Sequence, residues 1–158
     1  MFKNFKDLFD HVVRELDPNT QDAPDPQALQ LATAVLLVEV MRADPDQDAR
    51  ETDAVLQALQ RKFGLPAEAV AALLERATDT SRTSNDYYQF TSVLNEQLSH
   101  PQKIAVVEAM WTVAYANDHL DVHENAVIYK VAGLLYVTHG EYIAAKMRAK
   151  EAVAGTTD

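Results

Sequence analysis

Apolar residues recur at intervals of three and four along nearly the whole chain, the spacing that keeps one side of an α-helix dry. Phe2, Phe5, Phe9, Val12, Val13 and Leu16 open the pattern, and Asp17-Pro18 ends that first helix. Pro18, Pro24 and Pro26, with Asp22 and Asp25 among them, read as a loop or short linker. Gln27 to Met41 is predicted to be a helix apolar on most sides, broken at Asp44-Pro45-Asp46-Gln47. Asp48 to Phe63 is the next helix, Gly64 its left-handed cap, and Pro66 the first-turn residue of a short helix to about Ala77. A polar stretch over 78–85 separates the halves. Helices then follow from Asp86 to Leu98, Pro101 to Ala116, Asp121 to Tyr136 and Glu141 to about Ala152. No segment alternates with the period of a strand.

The expected fold is all-α, a single compact bundle of about seven or eight helices. Residues 1–26 form an N-terminal helix and linker, 27–152 the helical domain, and 153–158 a flexible tail.

The halves resemble each other. Sliding residues 31–77 by 73 positions onto 104–150 aligns them without a gap. Ala32/Ala105, Val40/Val113, Ala43/Ala116, Asp48/Asp121, Glu51/Glu124, Glu68/Glu141, Ala71/Ala144 and Ala72/Ala145 are identical. The expectation is a pseudo-two-fold internal repeat that sets two similar loops at related places.

Those loops are the helix junctions, and both are acidic. The first holds Glu39, Asp44, Asp46, Asp48 and Glu51; the second holds Asn117, Asp118, Asp121 and Glu124. Several carboxylate and amide oxygens on a short loop are the ligands a hard divalent cation takes, so all nine are candidate metal ligands. Two familiar patterns overlap these residues. Asp48-x-x-Glu51 and Asp121-x-x-Glu124 are capping-box patterns, in which the acids serve helix starts alone. Asp44-x-Asp46-x-Asp48 opens like an EF-hand, but Ala49 stands where that loop needs Gly and Val55 where it needs Glu, which excludes it. Capping leaves Glu39, Asp44, Asp46, Asn117 and Asp118 unexplained. Glu39, ending an apolar run, needs Arg42, a loop amide or a cation beside it.

Composition narrows the function further. There are 24 Asp and Glu against 14 Lys and Arg, a net charge of −10, which repels nucleic acid and anionic membranes. Of that charge, −7 lies in residues 39–53 and 117–124. No cysteine is present, so disulfides, thiol catalysis and Cys-ligated zinc are excluded. The N-terminus lacks a signal peptide's apolar core, and the longest apolar run, Leu31 to Val38, is far short of the ~20 residues of a membrane span. A soluble, cytoplasmic protein is expected.

Leu37-Val38-Glu39-Val40-Met41-Arg42-Ala43-Asp44, leading to Asp48 and Glu51, resembles the TerB-like family associated with tellurite resistance. So does the second stretch, Trp111 to Asp118 followed by Leu120, Asp121 and Glu124. The family pattern, roughly Ala-Asp-Gly-x-apolar-Asp-x-x-Glu, is used twice, and the resemblance covers residues 27–150. It implies a helical domain with an acidic, metal-associated surface and a role in stress resistance through protein assemblies, and it implies no enzyme activity. The chain departs from the pattern at Pro45 and Asp118, which replace glycines, at Asn117, which replaces Asp, and at Gln47, which replaces an apolar residue.

Secondary candidates each have a plainer reading. His119 and His123 could join Asp118 or Asp121 in a zinc or nickel site, or be a surface pair. His139 aligns with Pro66 and reads as structural, while His11 and His100 have no partner in sequence. Trp111, Tyr115, Tyr87, Phe90 and Tyr136 read as core aromatics, and Lys146, Arg148 and Lys150 as cations complementing a helix C-terminus. The chain has neither a nucleophile elbow nor a phosphate loop. The leading expectation is a non-enzymatic domain binding Ca²⁺, Mg²⁺, Mn²⁺ or Zn²⁺ through the two loops and acting with other proteins. The alternatives are an acidic module that docks a basic partner without metal, and a metal-dependent hydrolase.

Overall fold

A computed structural model of the chain describes residues 25–45, 49–116 and 120–155. The expected N-terminal helix, the end of the tail, and Asp46, Asp48, Asn117, Asp118 and His119 lie outside the described residues. Within them are seven helices and no strand: α1 Pro26–Ala43, α2 Ala49–Phe63, α3 Ala67–Thr83, α4 Tyr88–Gln97, α5 His100–Ala114, α6 Val122–Leu134 and α7 His139–Gly155. The all-α expectation holds. No described helix is long and apolar enough to cross a membrane.

Local chemistry sets most of the boundaries. Asp25 caps α1 by accepting the Gln27 amide at 3.0 Å, and Pro26 occupies the first turn. Ser99 and Gln102 form a reciprocal capping box at the start of α5. Thr138 and Glu141 do the same at α7, with the Thr138 amide 2.9 Å from Glu141 Oε1 and the Glu141 amide 3.2 Å from Thr138 Oγ1. Gly64 ends α2 with φ 63°, the left-handed cap expected of it. The equivalent turn after α6 uses Tyr136 at φ 61°, where Val137 N–H bonds Ala132 O and Tyr136 N–H bonds Gly133 O. That is a Schellman closure with a bulky residue in the position glycine usually takes.

Two expectations need correction. The polar stretch after Ala77 is helix as far as Thr83. Thr78, Thr80 and Ser84 each donate a hydroxyl to the carbonyl four residues back, at 2.7–2.8 Å, and Ala77 and Ser81 are buried. Their polarity is spent on the helix itself. Tyr136 is not a core aromatic, being 73 % exposed, because the left-handed turn aims its ring outward. Phe90 and Trp111 are buried, and Tyr87 and Tyr115 half-buried.

α1 is the central helix. It packs against α2, α3, α4, α5 and α6, and ten of its 18 residues are buried. Its Leu36–Val38 run explains why, since no side of that segment is polar enough for water. α5 is the second buried helix and carries α7 on its outer side. Trp111 of α5 stacks on Tyr115 and meets Tyr142 of α7, with centroids 6.0 and 5.3 Å away, and an Arg148–Glu108 ion pair ties the same two helices.

Candidate metal centre

The helix starts at α2 and α6 each bury a carboxylate. On α2 the buried stripe is Glu51, Val55, Leu59 and Phe63, four apart at every step. On α6 it is Glu124, Ile128, Val131 and Ala132. In both, the acid occupies the first position of the stripe that faces the core, so the helix period itself drives it inward. Asp44 arrives differently. Pro45 disfavours helical backbone in the residue before it, and Asp44 accordingly leaves α1 in an extended conformation, φ −82° and ψ 118°. It too ends buried.

Asp44 is 1 % exposed, and Glu51 and Glu124 are wholly buried. One carboxylate oxygen from each lies within 4.8 Å of the others. One cluster therefore takes acids from both junctions, which the sequence left open as one site or two. Glu124 Oε1 accepts the Asp121 amide at 3.2 Å, while Oε2 is buried and accepts no hydrogen bond from a donor among the described residues. Burial, the adjoining Glu51 carboxyl and the charge of Asp44 push the Glu124 pKa well up from its ordinary value, against the opposing pull of the Asp121 amide. Two ionised carboxylates at about 4 Å repel by roughly 4 kcal/mol near a protein surface. Such a cluster is at ease only with a proton or a cation among its oxygens.

The remaining candidate residues sit elsewhere. Asp121 caps α6, taking the His123 amide and His123 Nδ1 on Oδ1, both at 2.8 Å, with Glu124 completing a capping box. Capping of that pair therefore holds as well, and one Glu124 carboxyl serves both the cap and the cluster. The His123 side chain is 68 % exposed and stays with Asp121. Glu39 turns away from the cluster and accepts the Ser81 hydroxyl at 2.6 Å. Asp46, Asp48, Asn117, Asp118 and His119 lie outside the described residues. His100, without a partner in sequence, meets Glu141 of α7 at 2.8 Å.

Donor chemistry narrows what the cluster fits. Three carboxylates and no nitrogen or sulfur ligand suit a hard ion such as Ca²⁺, Mg²⁺ or Mn²⁺ better than Zn²⁺. The buried, bare Oε2 of Glu124 is the acceptor such an ion would satisfy. Three surface cavities, of about 150, 150 and 300 Å³, are lined by residues outside the cluster.

An all-α domain whose two halves meet at a buried carboxylate cluster is the class that fold and site define together. Residues 30–147 match the family described as Tellurite resistance protein TerB, and the chain belongs to that family. Neither the curated proteins nor the solved structures gave a match.

Proposed function

We propose that this domain is a non-catalytic, cation-responsive module of a tellurite- or stress-response assembly, with Asp44, Glu51 and Glu124 as the protein ligands. The observation that carries the reading is the burial of three carboxylates within 4.8 Å of one another. A helix cap needs only one acid and leaves it wet; three buried together need a counter-charge. The same burial counts against docking a basic protein through these acids, since a partner's lysine cannot reach them. Membership of the TerB family supports the resistance context.

The ion would neutralise the cluster and join the end of α1 to the starts of α2 and α6. Ca²⁺, Mg²⁺ and Mn²⁺ are the expected ions, with Asp46, Asp48, Asn117 and Asp118 the nearby sequence positions able to complete the shell. At a hundred times its dissociation constant an ion adds about 2.7 kcal/mol, raising the melting temperature by roughly 5–10 °C. Thermal melts of chelator-treated protein with each ion, read by the fluorescence of the buried Trp111, test this. The expected result is a saturable rise with a hard cation that vanishes in Glu51→Gln. A melting temperature indifferent to millimolar Ca²⁺, Mg²⁺ and Mn²⁺ would overturn the reading.

A further inference from the structure

Away from the acidic cluster, α1 and α3 enclose a cleft of about 300 Å³ lined by Glu39, Arg42, Ser81, Arg82 and Tyr87, with Val127 of α6 at its edge. Its floor is fixed. Ser81 is 3 % exposed; its Oγ accepts Arg42 Nη1 at 2.5 Å and donates to Glu39 Oε1 at 2.6 Å. One buried hydroxyl thus holds a guanidinium and a carboxylate in set positions while leaving most of the Arg42 donors unspent. Arg82, the next residue, makes no hydrogen bond or ion pair with any described residue. Lys130, one turn beyond Val127 on α6, sits with Nζ 6.0 Å from the centroid of the Tyr87 ring.

Two guanidinium groups, Arg42 and Arg82, therefore line a recess in a protein of net charge −10, with the Lys130 ammonium beside the Tyr87 ring. One carboxylate lines the recess with them: Glu39, engaged by Ser81. The Tyr87 hydroxyl adds a donor, kept protonated by burial and by Glu39, which raise its pKa. A monovalent carboxylate would leave this set under-used. A dianionic phosphoryl group matches two guanidinium forks. The volume exceeds what a bare phosphate fills, and the second oxygen of Glu39 is suited to a ligand hydroxyl. We propose that this cleft binds a small hydroxylated organic phosphate, its phosphoryl group on Arg42 and Arg82 and a hydroxyl toward Glu39.

Ribose 5-phosphate, inorganic phosphate and ribose, titrated separately against the full chain and followed by calorimetry and amide chemical shifts, test the assignment. Ribose 5-phosphate is expected to bind saturably at roughly millimolar Kd or tighter, inorganic phosphate more weakly, and ribose not at all. Arg82→Ala, on an exposed side chain, is expected to fold as the parent does and to weaken ribose 5-phosphate by about tenfold or more, with Arg82→Lys intermediate. Glu124→Gln is expected to leave this binding unchanged, which separates the cleft from the acidic cluster. The proposal is overturned by absence of saturable binding, by ribose binding as well as its phosphate ester, or by unchanged affinity in Arg82→Ala.

Discussion

Glu124 carries two tasks on one carboxyl, and its protonation decides which dominates. Folded, it holds its proton to about pH 9; in the unfolded chain it releases it near 4.5. Between those values the folded state binds the extra proton. The associated stability is therefore full below about pH 4.5 and is lost as pH rises toward 9. The metal-free protein is expected to melt at progressively lower temperature across that window, while the rise produced by a hard cation grows with pH as the ion replaces the proton. Glu124→Gln keeps Oε1 for the Asp121 amide and has no proton to lose, so its melting temperature should be flatter with pH and unresponsive to cation. A parent protein whose melting temperature is flat over the same range would contradict this account. At this scale the sequence was readable in residue type but not in direction. Asp44, Glu51 and Glu124 stood out among nine candidates only as acids near helix ends. The sharper signal was the stripe: counting by fours from Glu51 reaches Val55, Leu59 and Phe63, which sets a carboxylate on a core-facing row.

The helices were legible from periodicity and, at Gly64, from a cap; the caps at Asp25 and at Ser99 with Gln102 start α1 and α5 one residue ahead of the Gln27 and Pro101 that the apolar spacing indicated. They were misread where polar side chains turn back on their own backbone, as Thr78, Thr80 and Ser84 do at the end of α3. Hydroxyls that bond the preceding turn look from sequence like a loop. The paired turns after α2 and α6 allow a direct comparison of chain ends. Both enter the left-handed region, one with Gly64 and the other with Tyr136. A side chain there costs about 1–2 kcal/mol, partly offset at Tyr136 by Lys103, whose Nζ lies 5.6 Å from the ring centroid. Tyr136→Gly is accordingly expected to raise stability by up to about 1 kcal/mol, and Gly64→Ala to lower it by about 1 kcal/mol. Denaturant midpoints at unchanged m-value check both. A destabilised Tyr136→Gly would mean that the exposed ring contributes more than its geometry indicates.

For the whole molecule, the class of fold followed from periodicity and the absence of strand patterns, but the convergence of the two acidic junctions did not. Asp44 and Glu51 are near each other in sequence, whereas Glu124 reaches them only because α1 lies at the centre with α2 and α6 both packed on it. A 73-residue offset in the sequence says that two loops are alike; only the packing says that they meet. The cationic cleft was hidden for the same reason, since Arg42 and Arg82 come from two helices and the sequence offered Arg42 only as a neighbour of Glu39.

Because Glu51 and Glu124 bracket nearly half of the chain, an ion held between them would work as a removable staple across a long loop. Such a closure restricts the chain without adding to its core, and its effect should appear in motion before it appears in shape. Backbone amides in the first turns of α2 and α6 are expected to exchange with solvent independently in chelator and to slow together once the ion is present, as one opening unit. Amides that stay uncoupled under both conditions would mean that the two helix starts touch without holding each other. The domain would then be a latch whose fastener is supplied by its surroundings, closing or loosening as the free cation around it rises or falls.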